Sequence, residues 1–130
     1  GRFPLDTYER DMDSSMLSES AHNRLKQAFS MTQEQFSELL AERDRVRNVY
    51  ATLKGQVDVC VTLSAPSAAP KGLDWTGDPL FTVPTSLVGM PTVTLPVLQD
   101  ESFPLGLQVI GHPNADADLF SHAGGILKLF

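Results

Sequence analysis

Among the 130 residues, the groups able to do chemistry are few and scattered. Ser14-Ser15 and the two serines of Ser64-Ala-Pro-Ser67 are the nucleophile candidates. A nucleophilic serine needs a nearby base and a tight turn, often lined by glycine, that exposes its hydroxyl. G-x-S-x-G does not occur and no glycine flanks either pair, so turn and cap hydrogen bonding accounts for them better. Cys60 would need a cation or a helix N-terminus to favour its thiolate. It lies mid-strand between Val59 and Val61, on the face opposite the valines, where a small hydrophobe is expected. His112, Asp116, Asp118 and His122 form the most metal-like cluster, and Asp118 and His122, at i and i+4 on a helix, could converge on one ion. H-E-x-x-H, C-x-x-C and an EF-hand loop are all missing. The carboxylates, with Asn114, instead read as complements to a helix dipole, and no metal is expected. His22 beside Glu19 and Asn23 reads as solvated, and Asp100-Glu101 as solubilising residues of a hairpin loop. Lys26, Lys54, Lys71 and Lys128 have no serine at a motif spacing. Gly106 is mid-strand and Gly124-Gly125 mid-helix, so there is no phosphate cradle and no cofactor is expected. No catalytic residue is assigned.

The elements that must carry these groups follow from periodicity. Residues 1–13 show no steady period and read as an arm or connector, followed by a single domain over 14–130. Leu17, Ala21, Leu25, Ala28 and Phe29 make one helical stripe, with Ser14 or Ser15 as N-cap. Thr32-Gln-Glu-Gln35 matches a capping box. It opens a helix with an apolar stripe of Phe36, Leu39, Leu40, Val46, Val49, Tyr50 and Leu53. Gly55 stops that helix, and Glu38, Glu42, Asp44, Arg45 and Arg47 form its solvated face. Val57, Val59, Val61 and Leu63 alternate with polar or small residues and predict a strand. The Pro/Gly-rich segment 64–79 predicts a long ordered loop or linker, and loops of that length inside a domain are often functional. Asp78-Pro79 predicts an N-cap with Pro at the first helical position and a helix through Leu87, with Pro84 as an interruption. Thr92–Leu98 and Leu105–Ile110 predict an antiparallel pair joined by Gln99–Pro104. Leu119, Phe120, Ala123, Ile126, Leu127 and Phe130 predict one face of a last helix, in which Gly124-Gly125 costs about 1 kcal/mol per glycine unless close packing compensates.

The result is an α/β mixture with few strands, some of whose edges should stay open for pairing with other strands. A net charge of -6 disfavours nucleic acid and anionic membrane surfaces alike. No apolar run approaches the length of a spanning helix. No signal peptide is visible, and the single cysteine excludes an internal disulfide, so a cytoplasmic setting is expected. The chain starts at Gly1 without Met, which suggests a processed or truncated polypeptide.

Four stretches, in this order and spacing, carry a family resemblance. They are Asp58-Val-Cys-Val-Thr-Leu-Ser-Ala-Pro66, then Gly72 to Phe81 with Thr76-Gly-Asp-Pro79, then Leu87-Val-Gly-Met-Pro-Thr-Val-Thr-Leu-Pro96, and Pro104-Leu-Gly-Leu-Gln-Val-Ile-Gly111. Together they resemble the C-terminal portion of amidase-signature hydrolases. The hairpin loop departs from the pattern, with Leu98-Gln-Asp-Glu-Ser102 where relatives commonly carry a glycine.

The resemblance implies an α/β segment of a mixed-sheet amidase fold. It further implies hydrolysis of small amides by a Ser-Ser-Lys triad whose middle serine sits in a cis peptide. No position here matches the triad motifs, so the chain is expected to be inactive alone. It would complete the sheet and line part of the cleft, with the N-terminal catalytic part of the same amidase as its partner. The expected lining is the loop from Asp74 to Thr82: Trp75 and Phe81 offer apolar surface beside Asp74, Thr76, Asp78 and Thr82. Two other roles suit the same residues. One is a stand-alone oligomerisation or protein-interaction module using the open sheet edge. The other is the small subunit of a split amidase.

Overall fold

The computed structural model describes Thr7, Arg10, Asp11 and residues 13–130. The arm expected over 1–13 therefore lies mostly outside the described residues. The chain divides into two compact units, 1–42 and 43–130.

In the first unit, helix α1 spans Glu19–Ser30 and Ser18 caps it, its Oγ accepting from the Ala21 N–H at 3.2 Å. The helix thus starts later than Ser14 or Ser15. Asp13 takes the Ser15 N–H at 3.0 Å and closes a separate 3-10 turn over Ser14–Met16, after which Leu17 is extended. Leu25 is buried, as its place in the stripe requires. Helix α2 spans Gln33–Ala51 and opens on the expected capping box. The Gln35 Oε1 accepts from the Thr32 N–H at 2.9 Å, and the Thr32 Oγ1 accepts from the Gln35 N–H at 3.2 Å.

The second unit is built on three strands, β1 (Cys60–Leu63), β2 (Thr92–Asp100) and β3 (Phe103–Ile110). Their order is β1-β3-β2, and both ladders are antiparallel. Val109 faces Val61 on one side and Val93 on the other, and Leu107 faces Leu63 and Leu95. Strand β1 is shorter than the alternating run, because Val57 to Val59 precede the ladder. The hairpin pairs further than expected: Gln99 meets Pro104 and Asp100 meets Phe103, leaving a two-residue turn. Glu101 (φ 47°) and Ser102 (φ 73°) are both left-handed, as a tight turn matching strand twist demands.

Period-two alternation splits the core between the sheet's two faces. Leu95, Val109, Leu119 and Ala123 form one cluster, joined by Val59, Val93, Leu107 and Ile126. Val88, Met90 and Ile110 form the other, against Val46, Tyr50 and Cys60. Cys60 therefore packs opposite Val59, as the alternation predicts. Helix α4 (Asp116–Leu127) packs on β2 and β3 through Leu119, Ala123 and Ile126. Phe120, Leu127 and Phe130, expected on the same face, are mostly exposed. At about 100° per residue Phe120 and Leu127 fall on the flank of that stripe, and Phe130 lies beyond the end of the helix.

Helix α3 spans Val83–Val88 and begins later than Asp78-Pro79 predicted. The Asp78 carboxylate accepts from the Leu80 N–H at 3.0 Å, and the Pro79 carbonyl accepts from the Thr82 and Val83 N–H groups, making a turn first. Pro84 then falls in the first turn of the helix, where its missing N–H costs nothing. Gly89 (φ 70°) closes the helix, as expected. Among the described residues, no helix is long and apolar enough to cross a membrane.

Two glycines have opposite meanings. Between the pairs Leu95–Leu107 and Leu98–Leu105, β2 carries one extra residue, a bulge at Pro96-Val97 beside Gly106. A Cβ on Gly106 would overlap the Ser64 Oγ and the Thr94 Cγ2. Its carbonyl also accepts from the Ser64 N–H at 2.8 Å. Gly106→Ala is expected to destabilise by about 1–3 kcal/mol through overpacking, read as a lower urea midpoint. Gly124 and Gly125 have no heavy atom within 4 Å of a Cβ, so within this chain no close packing offsets their helix cost. Gly124→Ala is expected to stabilise by about 1 kcal/mol in the same measurement.

Candidate functional site

The second unit carries three clefts of similar size and different chemistry. The first, about 550 Å³, lies between the Ser64–Pro70 segment on one side and Trp75–Pro79 with Thr82 on the other, closed by Pro104–Gly106. Its walls are loops because prolines at 66, 70 and 79 deny them ladder or helix hydrogen bonds. Trp75 is 61% exposed and is the one large aromatic on this cleft, among the hydroxyls of Ser64, Ser67, Thr76 and Thr82 and the carboxylate of Asp78. Such a surface can hold an apolar group and hydrogen-bond a polar one. It has no base–nucleophile pair to cut a bond.

The second cleft, about 510 Å³, is mainly apolar, with Tyr50, Cys60, Leu80, Phe81 and Pro84 around it. The third, about 560 Å³, is charged and lies among Lys54, Asp58, His112, Asp118 and His122. The His112 Nε2 bonds the Val57 carbonyl at 2.9 Å, while its Nδ1 is buried without a partner. The ring therefore ties the start of the β1 segment to the end of β3.

These positions split the expected lining. Trp75, Thr76, Asp78 and Thr82 share the first cleft. Phe81 faces the second instead, because the chain turns between Pro79 and Val83. Asp74 is exposed and lines neither.

The chain is 30% identical to a glutamyl-tRNA(Gln) amidotransferase subunit from Parvibaculum lavamentivorans, over 97% of this chain and 28% of that protein. It is 36% identical to a fatty acid amide hydrolase from Medicago truncatula, over 67% of this chain and 16% of the relative. The crystal structure of an amidase superposes on 92% of this chain and 31% of its own, with a TM-score of 0.80 and 25% identity. The chain is a segment of the amidase-signature family. It spans less than a third of the length of these three proteins. No family model matches it.

In this amidase-signature segment, sequence reasoning missed two side chains that bond the loops to the β2–β3 hairpin. Asp100, read as a solubilising loop residue, ends β2, is half-buried, and accepts from the Ala68 N–H at 2.9 Å through Oδ2. Gln108, only 1% exposed, donates from Nε2 to the Phe81 carbonyl at 3.0 Å. A glutamine inside the apolar run Leu107–Ile110 was the available signal, since a buried amide must find a partner. His22, expected to be solvated, is half-buried and bonds the Ser14 carbonyl through Nε2 at 3.0 Å.

Asp118 and His122 do come to the charged cleft with His112. Among the described residues, however, no three His, Cys, Asp or Glu side chains are placed to hold an ion. Titration with Zn²⁺ is accordingly expected to move the melting temperature by less than about 1 °C, whereas a bound structural metal would raise it with concentration.

Proposed function

We propose that this chain is the C-terminal part of an amidase that hydrolyses small amides. The nucleophile and its activating groups are supplied by the N-terminal part of the same enzyme, and the chain is inactive alone. The reading is carried by its likeness, over nearly its whole length, to a protein named for amide transfer and to a crystallised amidase. The fatty acid amide hydrolase adds a second amide-directed relative. None of the Ser-Ser-Lys motifs occurs in this chain, so its share of the work is substrate holding.

The first cleft suits that share. Its volume of about 550 Å³ lies within the roughly 300–1,000 Å³ typical of small-molecule sites. Trp75 supplies apolar contact for the acyl or amine substituent, and Thr76, Thr82 and Asp78 supply polar contacts beside it. Phe81, the neighbour of Thr82 in the chain, lines the second cleft instead.

The test is kinetic and uses the complete enzyme. Trp75→Ala is expected to raise KM for aryl-substituted amides about tenfold, the loss of roughly 1.5 kcal/mol of apolar contact. Amides lacking that substituent should be affected far less. If the complete protein turns over no small amide, or if Trp75→Ala leaves selectivity unchanged, the reading is wrong.

A further inference from the structure

The two walls of the first cleft are irregular loops, yet each is fastened to the β2–β3 hairpin by one side chain. The Asp100 Oδ2 takes the Ala68 N–H at 2.9 Å, bridging 32 residues. The Gln108 Nε2 bonds the Phe81 carbonyl at 3.0 Å, bridging 27. Ala68 belongs to one wall, and Phe81 is bonded to Thr82 of the other.

We infer that Asp100 and Gln108 are positioning residues that set the width of this cleft and thereby its substrate selectivity. The inference rests on the amidase reading above and adds the residues that define the site's shape.

Three observations support it. Gln108 sits in the centre of the sheet, in register with Thr62 on β1 and Thr94 on β2. An apolar residue would be the ordinary choice in so buried a place, because a buried amide is costly unless bonded. Here its donor is aimed at a loop carbonyl. Asp100 lies next to the left-handed pair Glu101 and Ser102. The tight turn fixes the end of β2, and hence the direction of that carboxylate. Finally, the walls hold few hydrogen bonds of their own, so loop closure leaves them mobile unless anchored from outside. The hairpin, and not the loops, then determines how far apart the walls stand.

The experiment combines hydrogen exchange and kinetics on the complete enzyme, with Asp100→Ala, Asp100→Asn and Gln108→Leu. Asp100→Ala should speed exchange at the Ala68 amide about tenfold, the usual worth of a bond to a charged acceptor. Asp100→Asn keeps an acceptor oxygen and should restore protection. Gln108→Leu should speed exchange at Thr82 and Val83. Asp100→Ala and Gln108→Leu should shift the ratio of kcat/KM between a bulky and a small amide about tenfold, through KM more than kcat.

Wild-type exchange at Ala68 in Asp100→Ala, or exchange in Asp100→Asn as fast as in Asp100→Ala, overturns the inference. So does altered exchange with an unaltered selectivity ratio. If Gln108→Leu does not fold, the Asp100 pair decides. A wild-type enzyme that cleaves no amide defeats the amidase reading instead, and the exchange arm still shows whether these side chains hold the walls.

Discussion

Strand β3 is hydrogen-bonded to β1 along one edge and to β2 along the other. Three successive side chains on it, Gln108, Val109 and Ile110, are consequently all buried. Val109 packs towards α4, while Ile110 packs towards α3 and the C-terminal part of α2. A strand paired on both edges and covered on both faces has its backbone polar groups satisfied and its side chains fixed. Strands β1 and β2 are joined only through it. The bond to the Phe81 carbonyl and the His112 bond to Val57 start from β3 or the residues that follow it.

Apolar surface elsewhere in the chain is less well covered. Phe120 is 65% exposed, and Leu127, Leu129 and Phe130, at and beyond the C-terminal end of α4, are exposed as well. Val61 on β1 and Leu87 on α3 are also more than half exposed. Strands β1 and β2 each keep one edge without a partner among the described residues. Pro96 on β2, lacking an N–H, is the sort of residue an edge strand tolerates.

The division of labour within the proposed enzyme follows from residue types. Hydrolysis of an amide requires an activated nucleophile and an oxyanion site. This chain offers a half-buried thiol packed against apolar side chains, two histidines, His22 and His112, tied to backbone carbonyls, and a third, His122, on the charged cleft. What it has in quantity is shape: two proline-containing loops, each hydrogen-bonded to the β2–β3 hairpin. Binding and selectivity need that, because energy from non-reacting parts of a substrate serves to position the reacting bond.

Much of the architecture was legible in the sequence. The capping box at Thr32, the stop at Gly89, the alternation of β1 and the pairing of β2 with β3 are local in origin, set by φ preferences and by side-chain period, so neighbours in sequence specify them. Helix starts at Ser18 and Val83 were less legible, because Asp13 and Asp78 look like helix caps and close turns instead. The outward turn of Phe120 and Leu127 is hidden in a stripe that spans too wide an arc of the helix. The bonding partners of Asp100 and Gln108 could not be read from neighbours, because each hydrogen bond joins residues about thirty positions apart. The sequence by itself therefore determined which segments are strands, helices and loops, and the tertiary structure alone decided which loop each polar side chain would hold, since that choice is made by what folding brings within 3 Å.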